Sequence, residues 1–180
     1  MGLLAYRLVP DLAAKPVNVI YLISETVLVV MVALRRSANQ ISLRPTDWLI
    51  GFAGTFLPLL ATRSDGAGFP IGGVFLLLGF AVSVGAQLSL ARSFGVVAAN
   101  RGVKTTGFYN IVRHPMYMGY FLTNIGFLLT NPTPWNGAIY AAWTTCQLCR
   151  THVEERVLSA DLAYVAFAHR VRYRLLPFIY

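Results

Sequence analysis

TGFYNIVRHPMYMG, residues 106–119, is where a chain that otherwise resembles hydrocarbon turns polar. It holds a charged Arg113, a titratable His114, Pro115 and two phenols, Tyr109 and Tyr117. Proline is favoured at the first position of a helix, where its missing N–H costs nothing. A helix is therefore expected to run from Pro115, with Arg113 and His114 at its mouth. Free backbone N–H groups and the positive end of the helix dipole gather at such a mouth. The place suits an anionic or zwitterionic small molecule.

Outward from this stretch the chain is apolar. Of its 180 residues, 56% are apolar and 12% charged, and mean hydropathy is positive. A soluble domain carries roughly twice that charged fraction. The apolar residues fall in five blocks, 17–34, 48–62, 69–90, 115–130 and 134–149. A helical crossing of a bilayer takes roughly 20 residues. The first and third blocks are long enough. The second contains Pro58 and can begin nearer Pro45. The fourth and fifth are short and joined by the uncharged turn NPTP (131–134), which reads as a tight hairpin. The expected fold is all-α: a polytopic membrane bundle of about five helices, with a short C-terminal hairpin and an amphipathic tail. It forms one domain, with membrane helices over residues 1–92 and the binding and catalytic region over 93–180. No linker or internal repeat divides it. Gly72, Gly73, Gly79 and Gly85 read as close-packing positions. Glu25, deep in the first block, is a functional candidate by its depth and reads more simply as a bundle-facing acid bonded to a polar group such as Gln87 or Asn124.

The net charge of +8 sits beside the apolar blocks, which points to membrane topology and lipid headgroups rather than nucleic acid. Twelve of the fifteen Lys and Arg residues fall in alternate gaps. These are Arg35, Arg36 and Arg44; then Arg92, Arg101, Lys104 and Arg113; then Arg150, Arg156, Arg170, Arg172 and Arg174. Arg7, Lys15 and Arg63 fall on the other side. The positive-inside rule then puts the amino terminus outside and the RHP stretch and tail in the cytosol. The opening MGLLAYRLVPDLAAKP does not read as a signal peptide. Cys146 and Cys149, with His152 nearby, have metal-like spacing. Two thiols in a membrane helix are more simply small packing residues, so no metal is expected.

Residues 91–112 leave the membrane as a basic loop broken by Gly95, Gly102 and Gly107. Past the hairpin, Arg150 precedes Glu154 by one helical turn, with Glu155 adjacent. Val153, Val157, Ala160, Tyr164, Phe167 and Val171 recur at steps of three and four, as in an amphipathic helix. Arg113, His114, Tyr109, Tyr117, Arg150 and Glu154 together offer both charge signs and aromatic faces. Glu pairs an ammonium, Arg forks onto a carboxylate, and an aromatic face attracts an onium centre. S-adenosylmethionine carries all three groups; lipid headgroups and peptides share some of them.

The segment GFYNIVRHPMYMGYFLTNIGF, then Arg150 with Glu154-Glu155, then Tyr164, Val171 and YRLLP (173–177), resembles the isoprenylcysteine carboxyl methyltransferases and the related membrane phospholipid methyltransferases. The likeness covers about the last 80 residues. The resemblance implies a methyltransferase that uses S-adenosylmethionine, releases S-adenosylhomocysteine and binds both on the cytosolic side. It implies cofactor contacts from the loop Arg101, Gly102, Val103 and Lys104, from Tyr109, and from Arg113, His114, Pro115, Met116, Tyr117 and Glu154. Arg150 matches the position that handles the acceptor carboxylate, so Arg150 and Glu154 are the expected catalytic pair. The chain departs from the family pattern where Phe-Gly is usual, having Asp161 and Leu162, and Phe167 stands in place of a second Tyr. The expected reaction is carboxyl O-methylation of a lipophilic or lipidated acceptor. The alternatives are N-methylation of a phospholipid amine and S-methylation of a small thiol. A carboxylate acceptor needs no base, whereas an amine would make Glu154 or Glu155 a candidate base. The reading from another class is a non-catalytic membrane transport or scaffold protein.

Overall fold

Four of the described helices run alternately up and down between an end rich in charged side chains and an end poor in them. The computed structural model describes residues 40–64, 66, 68–90, 93 and 98–179, together with residues 30, 33, 34, 37 and 38. The first apolar block beyond those few positions, Glu25, Arg7, Lys15, Arg35, Arg36 and Arg92 lie outside the described residues. Helix α1 spans Pro45–Phe56, α2 Ile71–Leu90, α3 Pro115–Thr130, α4 Pro134–Leu158 and α5 Leu162–Arg170. The only β structure among the described residues is an antiparallel pairing of β1, Gln40–Ile41, with β2, Ala99–Asn100.

Prolines set the helix starts. Pro45, Pro115 and Pro134 each open a helix after a residue with non-helical backbone angles. Proline also ends α1. Pro58 cannot donate to the Gly54 carbonyl four residues back, so the chain tightens into a 3-10 turn over Leu57–Leu60. The orphaned Gly54 carbonyl accepts from the Trp143 indole N–H at 2.9 Å. That bond ties α1 to α4.

Helices α2 and α3 touch through glycine. Gly72 and Gly79 are seven residues apart and face Gly126 and Gly119, also seven apart. A methyl group on Gly79 would sit 2.4 Å from the Thr123 nitrogen, and one on Gly126 would sit 2.6 Å from the Gly72 oxygen. Only bare backbones approach this closely, a small-residue packing that is also used between membrane helices. Gly85 makes room for the Phe108 ring, whereas Gly73 faces open space and packs against nothing within 4 Å.

The sequence expectation is corrected at three places. The last hairpin is not short, because α4 is the longest described helix and continues past Cys149 through Glu154 and Glu155 to Leu158. Nor is it a tightly paired hairpin. Helix α3 packs along α2 and α4 along α1, leaving α3 and α4 bridged by the ring pairs Phe121–Trp143 and Phe127–Tyr140. The amphipathic tail is not one helix. It breaks at Ser159–Ala160, and Asp161 caps α5 by accepting from the Ala163 N–H at 2.9 Å. Tyr164 and Phe167 pack in the core with Tyr109 and Val171 rather than on a membrane surface. Cys149 is exposed and Cys146 half-buried.

Among the described helices, α2 alone is long and apolar enough to cross a membrane, judged by length and composition. Its 20 residues correspond to roughly 30 Å of helix. Its exposed Val74, Leu77 and Leu78 would face lipid.

Candidate functional site: a cleft at the charged end

The start of α3 and the last turns of α4 meet at the charged end. His114 is the N-cap of α3 and is buried, only 6% exposed. Its two ring nitrogens reach two different acids, Nδ1 lying 3.7 Å from Glu154 and Nε2 3.3 Å from Glu155. Those acids are neighbours on α4 and do different work.

Glu155 is a tie point. Arg174 Nε lies 2.7 Å from it, Arg113 Nη1 3.2 Å, and the Tyr164 hydroxyl donates to it at 3.3 Å. Burial alone would raise the Glu155 pKa. The His114 hydrogen bond and the charges of His114, Arg113 and Arg174 outweigh burial and hold it below the usual carboxylate range. A carboxylate so fully engaged is a poor proton acceptor, which speaks against Glu155 as a catalytic base.

Glu154 accepts a short hydrogen bond from the Tyr117 hydroxyl and lies 3.4 Å from Arg150 Nε. The Arg150 guanidinium stands 5.3 Å from the centre of the Tyr117 ring, within cation–π range. Tyr117 is 1% exposed and Arg150 6%. Tyr117 and Arg150, both buried, and the half-buried Glu154 thus form one group joining α3 to α4.

A cleft opens above this group. One wall comes from the strap residues Arg101, Gly102, Val103 and Lys104. The floor comes from Tyr109, Arg113, His114, Met116, Tyr117 and Glu154, and the far wall from Leu158, Tyr164 and Phe167. Every expected cofactor residue lines it except Pro115, which is buried behind His114. Arg150 does not line it either and lies beneath, against Tyr117 and Glu154. Burial pushes the Tyr109 phenol well above its ordinary pKa, so it is neutral.

One expectation about the helix mouth is corrected. The Arg113 and His114 N–H groups are occupied, donating to the carbonyls of Tyr173 and Arg174 at 2.9 and 2.8 Å. The Tyr117 N–H bonds the His114 carbonyl. The YRLLP tail therefore occupies the two N–H groups that lead into α3. Sequence reasoning gave no role to Asn100, Arg174 or Leu158 here. Asn100 carried one faint signal, an Asn two residues before a glycine, which marks a side-chain-supported turn.

A helix bundle that contains a membrane-length helix and carries a charged cleft at one end points to a class, the membrane-associated proteins. The sequence model of the family described as phospholipid methyltransferase matches residues 68–163, more than half of the chain, and the chain belongs to that family. The match runs from just before α2 to the first turn of α5 and includes all of the cleft except Tyr164 and Phe167. No curated protein matches the chain.

Proposed function

We propose that this chain is an integral membrane methyltransferase that binds S-adenosylmethionine in the cleft and methylates a lipophilic acceptor. The observation that carries this reading is the convergence of the strap, Tyr109, His114, Tyr117 and Glu154 on one cleft. Their chemistry suits the ligand. Glu154 would hold its ammonium, Arg101 and Lys104 its carboxylate, and the aromatic faces its base and sulfonium. At Gly102 nothing lies within 4 Å of where a Cβ would stand, so a ligand can approach that backbone. Bound there, S-adenosylmethionine would supply an electrophilic methyl group and leave as S-adenosylhomocysteine.

The protein's own part is positioning and exclusion of water. Tyr117, His114 and Arg150 fix the Glu154 carboxylate in one orientation. The acceptor is read from which charge faces the cleft. Arg150 is already balanced by Glu154 and lies below the cleft, whereas Glu154 lines it. An acid facing the cleft favours a lipid amine as the acceptor; Glu154 is already engaged by Tyr117 and Arg150, so the proton that the amine must shed passes to solvent. Carboxyl O-methylation is the second reading and is favoured by Arg150, a buried guanidinium one turn from Glu154 that can hold an acceptor oxygen once that pair opens. A small thiol is the third. Helices α1–α4 would sit in the bilayer as a multi-pass bundle with the charged end in the cytosol, in keeping with the distribution of Arg and Lys.

Calorimetric titration of the detergent-solubilised protein with S-adenosylhomocysteine tests the reading. Binding is expected in the intact protein and is expected to disappear in Glu154→Ala. Folded wild-type protein that gives no heat would instead favour the transport or scaffold reading. With a radiolabelled methyl donor and membrane lipids, a base-stable product supports the amine and a base-labile ester supports the carboxylate.

A further inference from the structure

The strap that forms one wall of the cleft is fastened by a side-chain pair to which neither the motif spacing nor the family likeness gives a role. Asn100 ends β2, is 5% exposed and uses both ends of its amide. Its Nδ2 donates to Asp161 Oδ2 at 2.8 Å, and its Oδ1 accepts from the Gly102 N–H at 2.9 Å. Gly102 has φ +93°, a conformation that glycine adopts without steric cost. Asp161 stands at the α4–α5 junction, between the lining residues Leu158 and Tyr164 in sequence. Its other oxygen caps α5 at Ala163, and its own N–H donates to the Leu158 carbonyl at 2.9 Å. One amide thus shapes the turn that begins the strap and fastens it to the opposite wall, which Leu158, Tyr164 and Phe167 form. The Asn100 hydrogen bond and the Ala163 N–H also hold the Asp161 carboxyl below the usual range, so it accepts at neutral pH.

We propose that Asn100 and Asp161 form a latch that holds residues 101–104 in place over the cleft and so sets how tightly the cleft retains its nucleotide ligand. The inference rests on the cofactor reading given above. Both are positioning residues and touch neither the ligand nor the reacting atoms. A strap ordered in advance binds without the entropy cost of ordering it at the moment of binding. Loosening the latch therefore weakens ligand affinity, while Glu154, Tyr117 and Arg150 stay as they were and turnover at saturation holds.

The test is a swap. In Asn100→Asp two carboxylates face each other and the cross-cleft bond is lost. In the double variant Asn100→Asp/Asp161→Asn every bond has a counterpart. Position 100 still accepts from the Gly102 N–H, position 161 still caps Ala163, and the bond between them runs with donor and acceptor exchanged. In detergent-solubilised full-length protein, the dissociation constant for S-adenosylhomocysteine is expected to rise about tenfold or more in the single variant. It is expected to return to within about threefold of wild type in the double variant. Hydrogen exchange over residues 98–105 of the ligand-free protein should speed up in the single variant and slow again in the double. A single variant that binds like wild type, or a double variant no better than the single, overturns the latch. Wild-type protein that binds no S-adenosylhomocysteine sinks the cofactor reading instead. The exchange measurement then decides the latch alone, and unchanged exchange in Asn100→Asp overturns it.

Discussion

At the charge-poor end of the bundle, Asn136 is fully buried and ties three segments together with one neutral amide. Its Nδ2 donates to the carbonyls of Thr62 and Asn131 at 2.8 and 2.9 Å, and its Oδ1 accepts from the Thr62 N–H at 3.0 Å. At the other end, Glu155 ties three segments with charge, gathering Arg113, His114, Tyr164 and Arg174. A neutral hub asks little of its surroundings and exerts little field beyond them. A charged hub costs desolvation and needs several partners, but it leaves a strong field beside it. Glu154, one residue away, lies in that field and faces the cleft. The difference teaches that ionic groups here are concentrated where a charged ligand is to be held, and the far end is fastened without them.

The largest effect expected from breaking this contrast is at Glu155. Glu155→Ala leaves Arg113 and Arg174 without their shared acid and should cost about 3–5 kcal/mol, seen as a large fall in melting temperature in detergent. A small fall would mean that the charged hub is dispensable. Asn136→Ala removes three hydrogen bonds of the neutral hub and should cost about 2 kcal/mol. The folded fraction should still bind S-adenosylhomocysteine as wild type does. Altered affinity in that variant would break the division between the two ends.

The smallest effect concerns pH. The folded-state pKa of Glu155 is depressed, so its contribution to stability is fully present above the unfolded carboxylate value, about 4.3. It is lost as pH falls through the folded value. Melting curves of wild type and Glu155→Gln should therefore converge on acidification below about pH 4 and stay parallel above about pH 6. Convergence on the alkaline side would contradict the direction of the shift.

Much of this architecture is legible in the amino-acid sequence. Pro115 marks the start of α3 to the residue, and the seven-residue glycine spacing in α2 marks its close contact. The pairing of Tyr117 with Glu154 follows from the family likeness rather than from the residues alone. Hydropathy ends the last membrane block at Cys149, because it cannot see that Arg150, Glu154 and Glu155 turn inward and satisfy one another. The three-four periodicity runs straight through Ser159–Asp161, hiding a break that Asp161 marks as a cap. The ties of Asn100 to Asp161, and of His114 to Arg174, join positions far apart in the chain. Neither leaves a local trace in the sequence.

The bonds from Arg113 and His114 to the Tyr173 and Arg174 carbonyls bear on biosynthesis. The ribosome makes the opening turn of α3 well before it makes the segment that seals it. Until then the nascent chain holds two unsatisfied main-chain donors beside a histidine and an arginine. Assembly of the pocket must follow translation of its last strut, so a clipped chain would keep every floor residue and still leave the entry to α3 untied.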